Sequence, residues 1–266
     1  MSNQGSNDRR PTKAERKEEA RIERARIQRR LAARKRNRTI GIVLVVVAVA
    51  AAVGVGVAMG GSGSDLPSPK DVLAQADQAK GSAGCSDVKE IQPYNDVADP
   101  NDPSYADRAH IGGAGALATM PPLSSYPSVP PTSGPHNPVP LGGGVYASPP
   151  PIDQAIHSLE HAGAIVWYSP TAPQEVIDRI TAFYERTDAS VGATKVIVAP
   201  YDYPDQGDAG VLPDGAEMVL VAWHRMVTCD SPSLAVAYDF TSRFSNGPNG
   251  AGLAYEGEAP EPNVTI

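Results

Sequence analysis

Residues 156–170 read IHSLEHAGAIVWYSP, and the way this stretch divides decides the fold. Ile156 and Leu159 recur at helical spacing among polar residues, whereas AIVWY, 164–168, is an unbroken apolar run of β-branched and aromatic residues. Gly163 marks the break between them. The spacing therefore predicts a helix over Pro151–His161 that runs straight into a buried strand over Ala164–Tyr168.

Working outward, the same change of period recurs. An amphipathic helix is expected over Pro173–Thr187, with Val176, Ile177, Ile180 and Phe183 on one face. KVIVAPY (Lys195–Tyr201) and EMVLVAWHRMV (Glu217–Val227) read as strands, and Ser231–Phe244 as a helix. The order helix, strand, helix, strand, strand, helix implies an α/β domain, with α+β the alternative: a small mixed sheet and flanking helices. Upstream, Ser68 as N-cap and Pro69 at the first helical position open a short helix over Pro69–Lys80. Residues 94–151 are a long loop crowded with Pro, Gly, Asp and Ser, with one short strand expected around His110. The domain so drawn spans 70–246, and 247–266 reads as an acidic, Pro-rich tail with few groups to bury.

Charge is divided unevenly along the chain. Residues 1–38 hold fourteen of the 23 Lys and Arg against five acids, so the formal net charge of -7 hides a basic tail and an acidic body. Between them TIGIVLVVVAVAAAVGVGVAM, 39–59, carries no charge and is long enough as a helix to cross about 30 Å of hydrocarbon. The leader is too long for a cleaved signal, so a single-pass transmembrane anchor is expected. Lys35, Arg36 and Arg38 on one flank and the linker 60–69 of Gly, Ser and Pro on the other keep the N-terminus in the cytoplasm and the domain outside, at the cell membrane. The basic leader lacks interleaved aromatics, so no nucleic-acid partner is expected. The two cysteines, Cys85 and Cys229, lie beyond the span, where thiols oxidise, and are expected to form a structural disulfide.

On a helix, His157 and His161 are four residues apart and Glu160 lies on nearly the same face, a spacing that suits a divalent metal. HSLEH also fits the H-x-x-E-H pattern of inverted zinc metallopeptidases, in which Glu160 would be the catalytic base. The same residues equally suit a helix end whose histidines are satisfied by hydrogen bonds, with His161 interacting with the helix dipole. A second polar stretch, PPTSGPHNP over Pro130–Pro138, presents Ser133 and His136 on a proline-stiffened turn. His224 alternates with Val221 and Trp223 and is expected to face solvent or a neighbouring strand, outside any site. Gly142–Gly144 lacks the Lys and Ser/Thr of a phosphate loop and reads as a hinge; no G-x-S-x-G elbow occurs.

PPTSGPH followed by HSLEH, an apolar strand, a late AW strand and a cysteine resembles the bacterial domain-of-unknown-function 3105 family, over roughly Cys85–Pro262. Family members typically read HSLEHG, where this chain has Ala162 and then Gly163. The resemblance implies that His136, His157, Glu160 and His161 share one pocket, with His110 as a further imidazole. It implies no reaction.

Two functions remain open. One is an extracytoplasmic domain binding a divalent metal, zinc or copper(II), through His136, His157 and His161 with Glu160 and His110. The other is a non-enzymatic envelope module whose histidines are structural and whose surface binds an envelope protein or wall polymer. A metallohydrolase of the HxxEH type is a minor alternative.

Overall fold

In the computed structural model, the structure describes residues 66–97, 101–102, 105–186, 194–213, 215–247 and 253–266. Among them no helix is long and apolar enough to cross a membrane. The basic leader 1–38, the apolar span 39–59 and most of the linker lie outside the described residues.

One sheet of six strands organises the domain, in the order β1-β6-β5-β3-β4-β2. The strands are β1 (Lys89–Glu90), β2 (Gly144–Val145), β3 (Ala164–Tyr168), β4 (Val196–Pro200), β5 (Met218–Ala222) and β6 (Arg225–Cys229). The sheet is mixed: β3 and β2 both run parallel to β4, while β5 pairs antiparallel with β3 and β6, and β1 with β6. Parallel pairing of β3 with β4 needs a crossover, which the helix α5 (Gln174–Tyr184) supplies.

Alternation along the strands divides the core between the two faces. Val166, Val198, Leu220 and Val227 meet α5, α1 (Pro69–Leu73) and α6 (Leu234–Phe244), through Phe183, Val72 and Phe240 among others. Ile165, Trp167, Ile197, Val219 and Val221 face the other way, onto Ala155 and Leu159 of α4 (Ile152–Glu160) and onto Leu123 and Leu141 of the long loop. The loop thus forms part of a layer, although its sequence carries no period. Two further short helices, α2 (Ala76–Ser82) and α3 (Tyr94–Val97), complete the described α-helices, and 3-10 turns occur at Leu123–Ser125 and Pro204–Gly210.

Three expectations need correction. Glu217–Val227 is not one strand but a hairpin: β5 and β6 pair from Met218↔Cys229 to Ala222↔Arg225, with Trp223 and His224 as its two-residue turn. His224 takes φ 54°, a left-handed conformation that histidine enters more readily than bulkier residues, so no glycine or asparagine announces the turn. The helix expected over Pro69–Lys80 is broken at Ala74 and Gln75 into α1 and α2. The strand around His110 is a single parallel bridge, His110↔His136.

Cys85 and Cys229 are bonded, S–S 2.08 Å, across 144 residues of sequence. The bridge ties the chain after α2 to the end of β6. Residues after Asn246, in which the sequence predicts little burial, return across the end of α4: Ala259 is buried and packs with the α4 side of the core. We call residues 255–265 the C-terminal strap.

Candidate metal centre

Helix α4 presents no solvent face over its last turns: Ala155 through Glu160 are all buried. Its polar side chains therefore need partners. Ser158 Oγ donates to Leu141 O at 2.6 Å. His157 and Glu160 point toward the site. The helix stops because Ala162 takes φ 59°. Ala162 N then donates to Leu159 O (3.1 Å) and Gly163 N to Ser158 O (2.8 Å), a Schellman end. Ala162 occupies the left-handed position, where a glycine would carry no Cβ cost.

The proline-stiffened turn holds the next candidate ligand. A Cβ on Gly134 would lie 2.7 Å from the Tyr126 ring, and its φ is 117°, so only glycine fits there. Gly134 N donates to Asp107 O (3.0 Å), His136 N to Ala109 O (2.9 Å) and Ile111 N to His136 O (2.8 Å). Segments 107–111 and 134–136 are thereby laced together, which sets His110 beside His136. Asp107 anchors this arrangement: its carboxylate accepts from Ser133 Oγ (2.6 Å), Tyr94 N (2.7 Å) and His224 Nε2 (2.7 Å). His224, expected to lie outside the site, is tied to the loop that carries the site's histidines.

His110, His136, His157 and Glu160 each offer a ligand atom, and these atoms all lie within 4.8 Å of one another. His136 is wholly buried, while the side chain of His110 is 47% exposed and forms the open edge. Tautomers follow from the backbone. A carbonyl only accepts, so the ring nitrogen facing it carries the proton. His136 Nδ1 donates to Gly134 O (2.7 Å), His157 Nδ1 to Asn137 O (2.6 Å) and His161 Nδ1 to Thr265 O (3.1 Å). In the neutral ring, each of the three then has a bare lone pair on Nε2. These lone pairs meet other acceptors: His136 Nε2 is 3.0 Å from Glu160 Oε2 yet off the line of a hydrogen bond, and His157 Nε2 is 3.0 Å from His161 Nε2.

His161 sits one step away, with Nε2 3.3 Å from Glu261 Oε2 on the strap. Of the residues singled out in the sequence, the structure brings His136, His157, Glu160 and His110 into one group and places His161 at its margin.

Electrostatics keep the Glu160 carboxylate charged and disfavour the charged form of His157 and His110. Burial alone would raise the Glu160 carboxyl, but His136 and Arg108 beside it outweigh burial and hold it at about 2. Arg108 Nε pairs with Glu160 Oε1, and its Nη2 reaches Glu261 Oε1 at 2.5 Å. Burial lowers His157 to about 4 against the raising effect of the Asn137 carbonyl, and neighbouring imidazoles lower it further. Burial, and then His136, also lower His110.

Sequence reasoning missed Arg108, Glu261, Asp107 and Thr265. None shares a local period with the candidate ligands, and Arg108 is 52 residues from Glu160.

The family model for a protein of unknown function, DUF3105, matches residues 121–260, just over half of the 266 residues. The chain belongs to the DUF3105 family. Its matched part holds His136, His157, Glu160, His161 and His224 of this DUF3105 protein; Asp107, Arg108, His110 and Glu261 lie outside it. No curated protein and no solved structure matches the chain.

Proposed function

We propose that this DUF3105 domain binds a divalent metal ion, zinc or copper(II), through His110, His136, His157 and Glu160, and that it does so outside the cell, tethered by the apolar span 39–59. The observation that carries the reading is the convergence of Nε2 lone pairs on a buried carboxylate, with Nδ1 of both His136 and His157 pinned by a backbone carbonyl. Such outer hydrogen bonds are what orient metal-bound imidazoles. Three imidazoles and one carboxylate suit zinc or copper(II) better than calcium or magnesium, which take oxygen ligands. The disulfide fits an oxidising compartment, and the one-sided charge flanking the span supports the orientation.

As a general base Glu160 is poorly suited: held at about 2 and paired with Arg108, it takes up a proton reluctantly at neutral pH. This favours an ion held by four side chains over a hydrolase in which Glu160 activates water.

A second reading has its own support. The turn and α4 are already locked by hydrogen bonds: Asn137 N to Asp153 O (3.2 Å), Asn137 Nδ2 to Asp153 Oδ2 (2.9 Å) and Leu141 N to Gln154 O (3.1 Å). In that reading the domain is an envelope module that binds a partner protein or wall polymer without metal.

Metal analysis of the untagged full chain, with thermal melting before and after chelation, separates the two. A metal domain retains bound zinc or copper, melts lower once stripped, and loses the ion in His157→Ala. A metal-independent module shows neither the ion nor the chelator effect. Protease treatment of intact spheroplasts tests the tether, and full protection of the domain would refute it.

A further inference from the structure

The donor atoms continue beyond the first group, through His157 to His161 and Glu261. Donors on a single tetrahedral ion, at bonds of about 2.0–2.1 Å, lie about 3.3 Å apart. One such edge runs from His136 Nε2 to Glu160 Oε2, 3.0 Å, with His110 Nε2 3.8 Å from the same oxygen. A second chain of edges runs from His157 Nε2 to His161 Nε2, 3.0 Å, and on to Glu261 Oε2, 3.3 Å.

The second chain holds donors that a single ion does not use. His161 donates through Nδ1 to Thr265 O, which leaves its Nε2 facing His157 Nε2 on one side and a Glu261 carboxylate oxygen on the other. An ion bound among His110, His136, His157 and Glu160 leaves His161 and Glu261 without a metal partner. A cation between them would take up both, with no change of tautomer.

Building on the metal reading above, we propose that the cluster takes two divalent cations, the second held by His157, His161 and Glu261. His157 has one Nε2 lone pair and serves one ion. With two ions bound, His110, His136 and Glu160 hold the first and His157 passes to the second. Arg108 lies between Glu160 and Glu261, its guanidinium touching both carboxylates, and holds the two anionic ligands in place. The strap thereby supplies a ligand as well as a cover.

The test is zinc loading of the untagged full chain in detergent, stripped, reloaded with excess zinc alone and dialysed, read by metal-to-protein ratio and X-ray absorption. Wild type should hold two ions per chain with a zinc–zinc distance of about 3.5–4 Å. Glu261→Gln and His161→Gln should each hold one, without the zinc–zinc signal. Glu261 is partly exposed, so its variant is the one least exposed to a folding defect, and an unchanged melting temperature of the stripped Glu261→Gln protein establishes this. One ion in wild type, retained by both variants, would overturn the second site and leave the first standing. Two ions undiminished in both variants would overturn the assignment of His161 and Glu261. No ion at all removes both readings.

Discussion

Gly163 is the residue the turn after α4 cannot exchange. A Cβ there would lie 2.6 Å from Ser158 O and 3.3 Å from Lys195 O, both backbone atoms that hold the helix end and β4. Gly163→Ala should destabilise the domain by about 2 kcal/mol or more. Ala162→Gly is the matched control: relief of a left-handed alanine, about 1 kcal/mol, offsets the loss of a buried methyl of similar size, so denaturant midpoints should barely differ from wild type. Equal midpoints for wild type and Gly163→Ala would refute this account of the turn. His157 carries a pH signature at the same scale. Its folded value of about 4 lies below the ordinary 6.5. Between those pH values the unfolded chain binds a proton there that the folded chain does not, so metal-free protein loses stability as pH falls through that window. Glu160, depressed to about 2, extends the loss below pH 4.5. Melting temperatures of stripped protein between pH 7 and 4 should fall less steeply in His157→Gln than in wild type.

Among the elements, α4, β3, α5, β4 and α6 were legible because each carries an apolar period or run long enough to override its neighbours; Ser233 caps α6 through Oγ as a serine there should. The hairpin was not legible, since the whole of Met218–Val227 is apolar apart from His224 and Arg225 and its turn uses no glycine. Lys195 shows how an element end can depend on a residue that looks like surface. It is 9% exposed, and Nζ donates to His161 O (2.9 Å) and Pro262 O (2.8 Å), so it closes the C-terminus of α4 onto the strap while burial lowers its affinity for the proton. Lys195→Met should leave both carbonyls without their donor and cost about 1–3 kcal/mol, measured by urea unfolding. A neutral substitution would mean that water replaces the ammonium freely.

At the scale of the whole molecule, the site draws on positions 108, 110, 136, 157, 160, 161 and 261, and only 157–161 form a local pattern. The pairing of the others depends on a loop whose order comes from Asp107, Gly134 and the His110↔His136 bridge, contacts that no window of sequence contains. The disulfide acts at this scale too. It closes 144 residues of sequence, the span that holds every strand of the sheet, and on chain entropy contributes up to about 5 kcal/mol. Reductant should therefore move the denaturant midpoint sharply downward; an unchanged midpoint would mean that the reduced, unfolded chain is no freer than the bridged one.

Beside its hydrogen bonds and the buried Ala259, the strap is held down by three ion pairs. Glu256 meets Arg243 at 3.3 Å, Glu258 meets Arg225 at 2.7 Å and Glu261 meets Arg108 at 2.5 Å, each pair at least partly open to solvent. At physiological ionic strength such attractions already fade over about 8 Å, and more salt weakens them further, whereas the buried core beneath responds little. Salt concentration thus becomes a control on how tightly the histidines are covered. Amide exchange at Glu256 and Glu261 should quicken between low and high salt while exchange within β3 and β5 stays unchanged, so the cover over His161 would loosen as salt rises.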